Sequence, residues 1–261
     1  MKARCGPVLG LIVVASFLVC NVYADLIMET PALTRDAFTS LTNGSLFGQD
    51  SGHWTGATEN VTVVTDPAEG KVIKAGVTPE DPPWSYAHYG WTYPGSTIDR
   101  VTFSVLIDSD HASFSQNQRV VSLSLGKGGV GGGWMGILNV YYDSSHIGEE
   151  FRVYAQTWGP AGNVFSGSFG FNEWATLSLG TKDHYQAVQT NDYWSGWVDD
   201  WEDPEGYGPD CFSLDPNILN NGEYIYFKDV GVYHNPEPST IFMFVSGLFG
   251  LGWKLKFRFT K

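Results

Sequence analysis

The chain has 261 residues, 15% of them aromatic and only 16% charged, with 31 glycines and a formal charge of −13. This composition excludes a disordered tail and a coiled coil, which are poor in aromatics or rich in Ala, Glu, Lys and Leu. The acidic balance also argues against a nucleic-acid partner, because phosphates need cations.

At the N-terminus, Lys2 and Arg4 precede an apolar run from Val8 to Val19 that ends at Val22-Tyr23-Ala24. A short cationic stretch, an apolar core too short to span a bilayer and small residues at its end describe a secretory signal peptide, residues 1–24, cleaved after Ala24. The body is residues 25–235. It holds nine basic and 27 acidic residues, a net charge near −18, and Cys211 is its only cysteine. An exported chain with no internal disulfide must rest on its core or on metal, and about 211 residues suffice for a core.

Within the body the period is two almost throughout. Asp36 to Leu41 is at most a turn or two of helix. Strands are expected at Val61–Val64, Val72–Ala75, Val101–Ile107, Val120–Leu125 and Gly136–Tyr142. Others follow at Phe151–Ala155, Trp174–Leu179, Tyr185–Gln189 and Tyr224–Tyr233. These segments are short, β-branched or aromatic, and separated by Gly, Pro, Asp and Asn. Nine or more such strands predict an all-β domain, a two-sheet antiparallel β-sandwich. The glycine-rich Gly126–Gly133 lacks the Gly-Lys-Ser/Thr ending of a phosphate loop and reads as a hairpin loop.

Candidate chemistry is sparse. His-Glu-x-x-His and Gly-x-Ser-x-Gly motifs are absent, and the six histidines show no ligand spacing. Glu149 and Glu150 are adjacent, so on a strand they would face opposite sides and could not form a glycosidase pair. Asp199, Asp200, Glu202, Asp203, Glu205 and Asp210 crowd one Gly/Pro-rich stretch. Carboxylates with loop carbonyls suit Ca²⁺, so Asp199, Asp200 and Asp203 are candidate metal ligands. Aromatic side chains supply platforms for sugar rings. Trp84, Tyr86 and Trp91 form one dense cluster, and Trp158, Trp194 and Trp197, with Tyr193 and Trp201, a second.

At the C-terminus, Pro236-Glu237-Pro238 is followed by an apolar run from Ile241 and then by Lys254, Lys256, Arg258 and Lys261. Ile241 to Phe259 would form about 28 Å of helix, close to the bilayer core of about 30 Å, with the cations reaching the headgroups. Positive charge stays inside, so the body lies outside the inner membrane. Residues 236–261 resemble the PEP-CTERM sorting signal of Gram-negative bacteria that make exopolysaccharide. The resemblance implies transient anchoring by a transmembrane helix, processing at Pro236, Glu237 and Pro238 by an exosortase, and release to the cell surface or matrix.

The body resembles concanavalin A-like lectin/glucanase jelly rolls. The residues that carry this are Trp54 with Val61–Lys74 for their opening, Trp174–Leu179 for their middle strand and Phe227–Tyr233 for their closing strand, which returns beside the first. The likeness implies a jelly roll, and in some such domains the counterpart of Asp229 ligates calcium. Tyr226-Phe-Lys-Asp-Val-Gly-Val-Tyr-His-Asn235 is also similar to the Tyr-Phe-Lys-Ala-Gly-Val-Tyr-Asn-Gln strand of family 7 alginate lyases, whose Lys and Tyr line the groove. Alignment needs one extra residue here, and that family's Gln-Ile-His and Arg-Thr-Glu-Leu-Arg partners are absent. The expectation is therefore an exported, non-catalytic β-sandwich that associates with extracellular polysaccharide. The alternatives are a purely structural matrix protein and a jelly-roll lyase or glycoside hydrolase.

Overall fold

A computed structural model describes residues 32–56, 61–76, 87–90, 98–127, 133–157, 162–182, 185–199, 209–217 and 222–234. Every one of these residues except Ala32 belongs to one compact unit, Leu33–His234. Both terminal signals read from the sequence lie outside the described residues. Among the described residues no helix is long and apolar enough to cross a membrane.

The chain opens with β1 (Ala32–Asp36), β2 (Gly44–Ser45), one helical turn α1 (Gln49–Gly52), β3 (Trp54–Gly56), β4 (Val61–Asp66) and β5 (Gly70–Gly76). It continues through β6 (Ala87–Gly90), β7 (Arg100–Leu106), β8 (Arg119–Lys127), β9 (Gly133–Tyr142) and β10 (Phe151–Gln156). The last strands are β11 (Asn163–Phe169), β12 (Trp174–Lys182), β13 (Tyr185–Thr190), β14 (Tyr193–Trp194), β15 (Val198–Asp199), β16 (Cys211–Pro216) and β17 (Tyr224–His234). They form two antiparallel sheets. The ten-stranded sheet runs β14-β13-β12-β7-β17-β5-β4-β2, with β1 on β17 and β15 on β13. The seven-stranded sheet runs β11-β10-β9-β8-β16-β6-β3.

All nine expected strands form. The expected β8–β9 hairpin flanks the glycine-rich segment. The 36–41 segment is not helical; Asp36 Oδ1 accepts the N–H groups of Phe38 and Thr39, both at 2.8 Å, and closes a turn instead. A side chain that captures these donors offers the backbone an alternative to a helix. Sequence reading passed over β11 and β16 and the shorter β1, β2, β3, β6, β14 and β15.

Alternation explains the core. On β10, Phe151, Val153 and Ala155 are buried while Arg152, Tyr154 and Gln156 are half-exposed. The same rule turns Val101, Phe103 and Val105 of β7 inward, opposite Leu179, Leu177 and Ala175 of β12. Leu123, Leu138, Val140 and Phe212 of the other sheet join them in one cluster. Phe103 and Phe227 meet edge to face at 5.8 Å, as do Trp54 and Phe212. Each fully buried side chain of this size contributes roughly 1.5–3 kcal/mol. Trp54, 1% exposed, also donates its indole N–H to the Ala37 carbonyl at 3.0 Å, so its polar tip is satisfied.

Two bulges change which residues face out. In β17, Lys228 pairs with Ser104 but Gly231 with Thr102, so one extra residue lies between them. Ile225 and Phe227 are buried before the bulge, Val230 and Val232 after it. Asp229 occupies the left-handed region there, with φ 55°, a conformation aspartate tolerates better than most residues. This is the residue that the lyase-like alignment could not place. In β11, Tyr154 pairs with Phe165 but Arg152 with Ser168. Phe165 therefore faces out and Phe169 in, although both hold odd positions of one strand.

Candidate aromatic and arginine site at the sheet edge

The second bulge builds the site. Gly167 sits at φ +115°, and a Cβ there would lie 2.7 Å from Thr190 Cβ, so glycine is needed both for the backbone and for the approach of β13. Ser166 is fully buried; its Oγ accepts the Ala155 N–H at 3.3 Å and donates to the Val164 carbonyl at 3.0 Å. The bulge is thus locked by hydrogen bonds and presents Phe165 to the outer face beside Tyr154.

A row of rings results. Tyr141 and Tyr154 have centroids 5.9 Å apart, Tyr154 and Phe165 5.8 Å, and Phe165 and Tyr193 6.0 Å. Tyr193 comes from β14, at the edge of the other sheet, and is 51% exposed. The Arg152 guanidinium lies 4.4 Å over the Phe165 ring, and its Nε donates to Tyr154 Oη at 3.3 Å. Stacking on one face and a hydrogen bond on one edge fix the plane of this guanidinium. Further across the same face, Ser122, Ser124, Asn139 and Ser213 are buried, so the accessible part is the β9–β10–β11 edge. Asp215 on β16 takes a hydrogen bond from Ser213 Oγ at 2.7 Å, yet burial pushes its carboxyl up to about 6.

The expected site residues are dispersed. Trp84, Tyr86, Trp91, Trp158, Asp200, Asp203 and the Pro236, Glu237, Pro238 motif lie outside the described residues. Trp194 is 36% exposed, but it pairs with Gln189 whereas Tyr193 pairs with the buried Thr190. Consecutive strand residues face opposite ways, so Trp194 turns to the far side of the ten-stranded sheet and away from the ring row. Trp197 is half-buried between β14 and β15. Asp199 is exposed on β15, opposite Tyr185, and Asp229 is exposed at its bulge. Among the described residues no three of His, Cys, Asp and Glu gather closely enough to hold a metal ion.

The outer face of the ten-stranded sheet carries the lyase-like residues. Lys228 pairs with Glu69 at 2.7 Å and lies 4.0 Å over the Trp174 ring, which holds the Glu69 carboxyl below its usual range. Tyr233 instead packs under Arg100, 4.6 Å from its guanidinium. Lys228 and Tyr233 pair with Ser104 and Arg100, four residues apart on β7, or about 13 Å along a strand.

Sequence reasoning named Tyr193 among its aromatics but missed Tyr141, Tyr154 and Phe165. The outward alternation of Tyr154 was visible in Phe151–Ala155; the position of Phe165 was not, because the bulge reverses its parity.

No family model matches the chain, and no curated protein matches it. Solved structures do. One is a carbohydrate esterase of the Shiga toxin-encoding bacteriophage phi24B, 16% identical with a TM-score of 0.51, covering 74% of this chain and 97% of that one. Another is a Trypanosoma rangeli sialidase, 14% identical with a TM-score of 0.49; it covers 77% of this chain, which spans only 31% of the sialidase. A third is an endo-β-1,4-glucuronan lyase from Trichoderma reesei, 12% identical with a TM-score of 0.43, covering 75% of this chain and 95% of that one. At such identity the esterase likeness shows the fold alone, a β-sandwich of two antiparallel sheets.

Proposed function

We propose that this chain is an exported, non-catalytic β-sandwich of jelly-roll type that binds extracellular polysaccharide through the ring row at the β9–β10–β11 edge. Tyr141, Tyr154, Phe165 and Tyr193 in sequence, each about one ring spacing from the next, carry the reading. Apolar faces of sugar rings stack on such side chains while tyrosine hydroxyls and the Arg152 fork supply polar contacts, the mix of apolar lining and few polar groups that ligand sites use. A signal peptide over residues 1–24 and exosortase processing at Pro236–Pro238 would deliver the body to the cell surface or matrix. Calcium enters through the acidic stretch from Asp199 to Asp210.

Affinity electrophoresis of the purified protein through gels containing neutral and acidic polysaccharides, with and without Ca²⁺, tests the reading. Retardation by at least one polymer, lost roughly tenfold on combining Tyr154→Ala with Tyr193→Ala, is expected, a change of about 1.4 kcal/mol. Unchanged mobility in every gel would leave the purely structural matrix role. Mass spectrometry of the exported protein, with ends at Ala24 and near residues 236–238, tests the sorting.

A further inference from the structure

Arg152 belongs, with Lys71, Lys74, Arg119 and Lys182, to the cations that no described carboxylate holds. Arg35 is held by Asp50 at 2.5 Å and Lys228 by Glu69 at 2.7 Å. Arg152 forms no ion pair with any described carboxylate, although the body holds three acids for every base. Glu149 is engaged by another group: its Oε2 accepts the hydroxyl of Ser168, the direct cross-strand partner of Arg152, at 3.0 Å. Phe165 beneath the guanidinium and Tyr154 at its Nε orient the fork and leave both terminal nitrogens free of described hydrogen-bond partners. A planar, pre-oriented guanidinium offers two parallel N–H donors that match a carboxylate.

From this geometry we infer that the edge site selects acidic sugars, with the Arg152 fork taking the carboxylate of a uronic acid residue while the ring row carries the sugar faces. The assignment rests on the polysaccharide-binding reading above and narrows it. Net negative charge over the body raises the background repulsion for any polyanion. Selectivity therefore comes from one short, charge-assisted contact rather than from the field of the whole protein. Glu149 opposes it, because its carboxylate is held by Ser168, the cross-strand partner of Arg152.

The test uses polygalacturonate, polymannuronate and polyglucuronate, each beside the same polymer with its carboxyl groups reduced to alcohols, and dextran sulfate beside dextran. Calorimetry on the intact protein reads the affinities. At least one uronate is expected to bind tenfold or more tightly than its reduced form. Arg152→Gln should bring that pair within about twofold, Arg152→Lys should fall between, and Glu149→Gln should widen the preference. Tyr193→Ala should weaken both members of the pair alike. Raising the salt concentration should narrow the preference, since exposed charges are screened. Equal affinity for uronate and reduced polymer, or a preference that survives Arg152→Gln in a protein with unchanged thermal unfolding, overturns the inference while the binding reading stands. Tighter binding of dextran sulfate than of every uronate overturns the carboxylate assignment. Binding of no polymer at all removes both the inference and the reading beneath it.

Discussion

The two outer faces of the sandwich treat their polar and aromatic groups differently. On the ten-stranded sheet they satisfy one another: Thr102 and Ser178 share a hydrogen bond at 2.8 Å, Ser104 and Thr176 one at 3.2 Å, and Lys228 is held by Glu69 and Trp174. Even Lys74 lies over a ring, 3.6 Å from the Tyr224 centroid, and burial raises the Tyr224 hydroxyl above its usual range. At the β9–β10–β11 edge of the seven-stranded sheet, the rings stay accessible and the arginine fork is not met by acid. A face whose groups are already paired stabilises the fold; a face that leaves them open has contacts to offer a ligand.

Substitutions can break this contrast, and the largest effect is expected at the bulge. Gly167→Ala forces a Cβ to within 2.7 Å of Thr190 Cβ at a backbone angle alanine avoids, at a cost of about 2–4 kcal/mol. Urea unfolding should show the loss, and sugar binding should weaken with it because Phe165 is displaced. A cost below about 0.5 kcal/mol would mean that the ring row does not depend on the bulge.

Next comes the half-buried acid further across the same face. Burial raises the Asp215 carboxyl from 3.8 to about 6, while Ser213 and Arg119 pull it back only in part. The folded state therefore keeps this proton between about pH 4 and 6 where the unfolded state has released it, so the group's contribution to stability falls as pH rises through that window. The swing is about 2 kcal/mol. Asp36, Glu69 and Asp143 are shifted downward and push the other way, so the informative quantity is the difference between the protein and Asp215→Asn. Relative to the parent, the variant should gain stability as pH rises from 4 to 6. A constant difference across the window would contradict the burial argument.

Smaller effects sharpen the comparison from the paired face. Thr102→Val removes one hydrogen bond of the hydroxyl ladder and should cost about 1 kcal/mol in thermal unfolding while polysaccharide binding is unchanged. Lys228→Met should alter polysaccharide affinity less than about twofold, in contrast to Arg152→Gln. A large loss of binding from Lys228→Met would move the site to the ten-stranded face and revive the lyase-like strand.

Much of this fold could be read from period two alone. Val101, Phe103 and Val105 alternate with Thr102 and Ser104, and the structure buries the first set and pairs the hydroxyls of the second. Parity fails where a strand gains a residue. The apolar positions of Tyr224–Tyr233 switch from odd to even across Asp229, a trace of the bulge that the sequence did carry. Asn163–Phe169 carries a weaker trace: its Ser and Gly residues leave no β-branched run, and nothing local says that Gly167 must clear Thr190 of another sheet. The site was hidden for the same reason. Its rings come from four strands of two sheets, and only Tyr193 lay in a stretch that looked aromatic.

The most direct test of the account is to map, by amide chemical-shift changes in the labelled protein, where an oligouronate binds. Perturbations centred on Tyr141, Arg152, Tyr154, Phe165 and Tyr193, with Lys74, Trp174, Tyr226 and Lys228 unmoved, are the predicted result. Shifts confined to the ten-stranded face would contradict it.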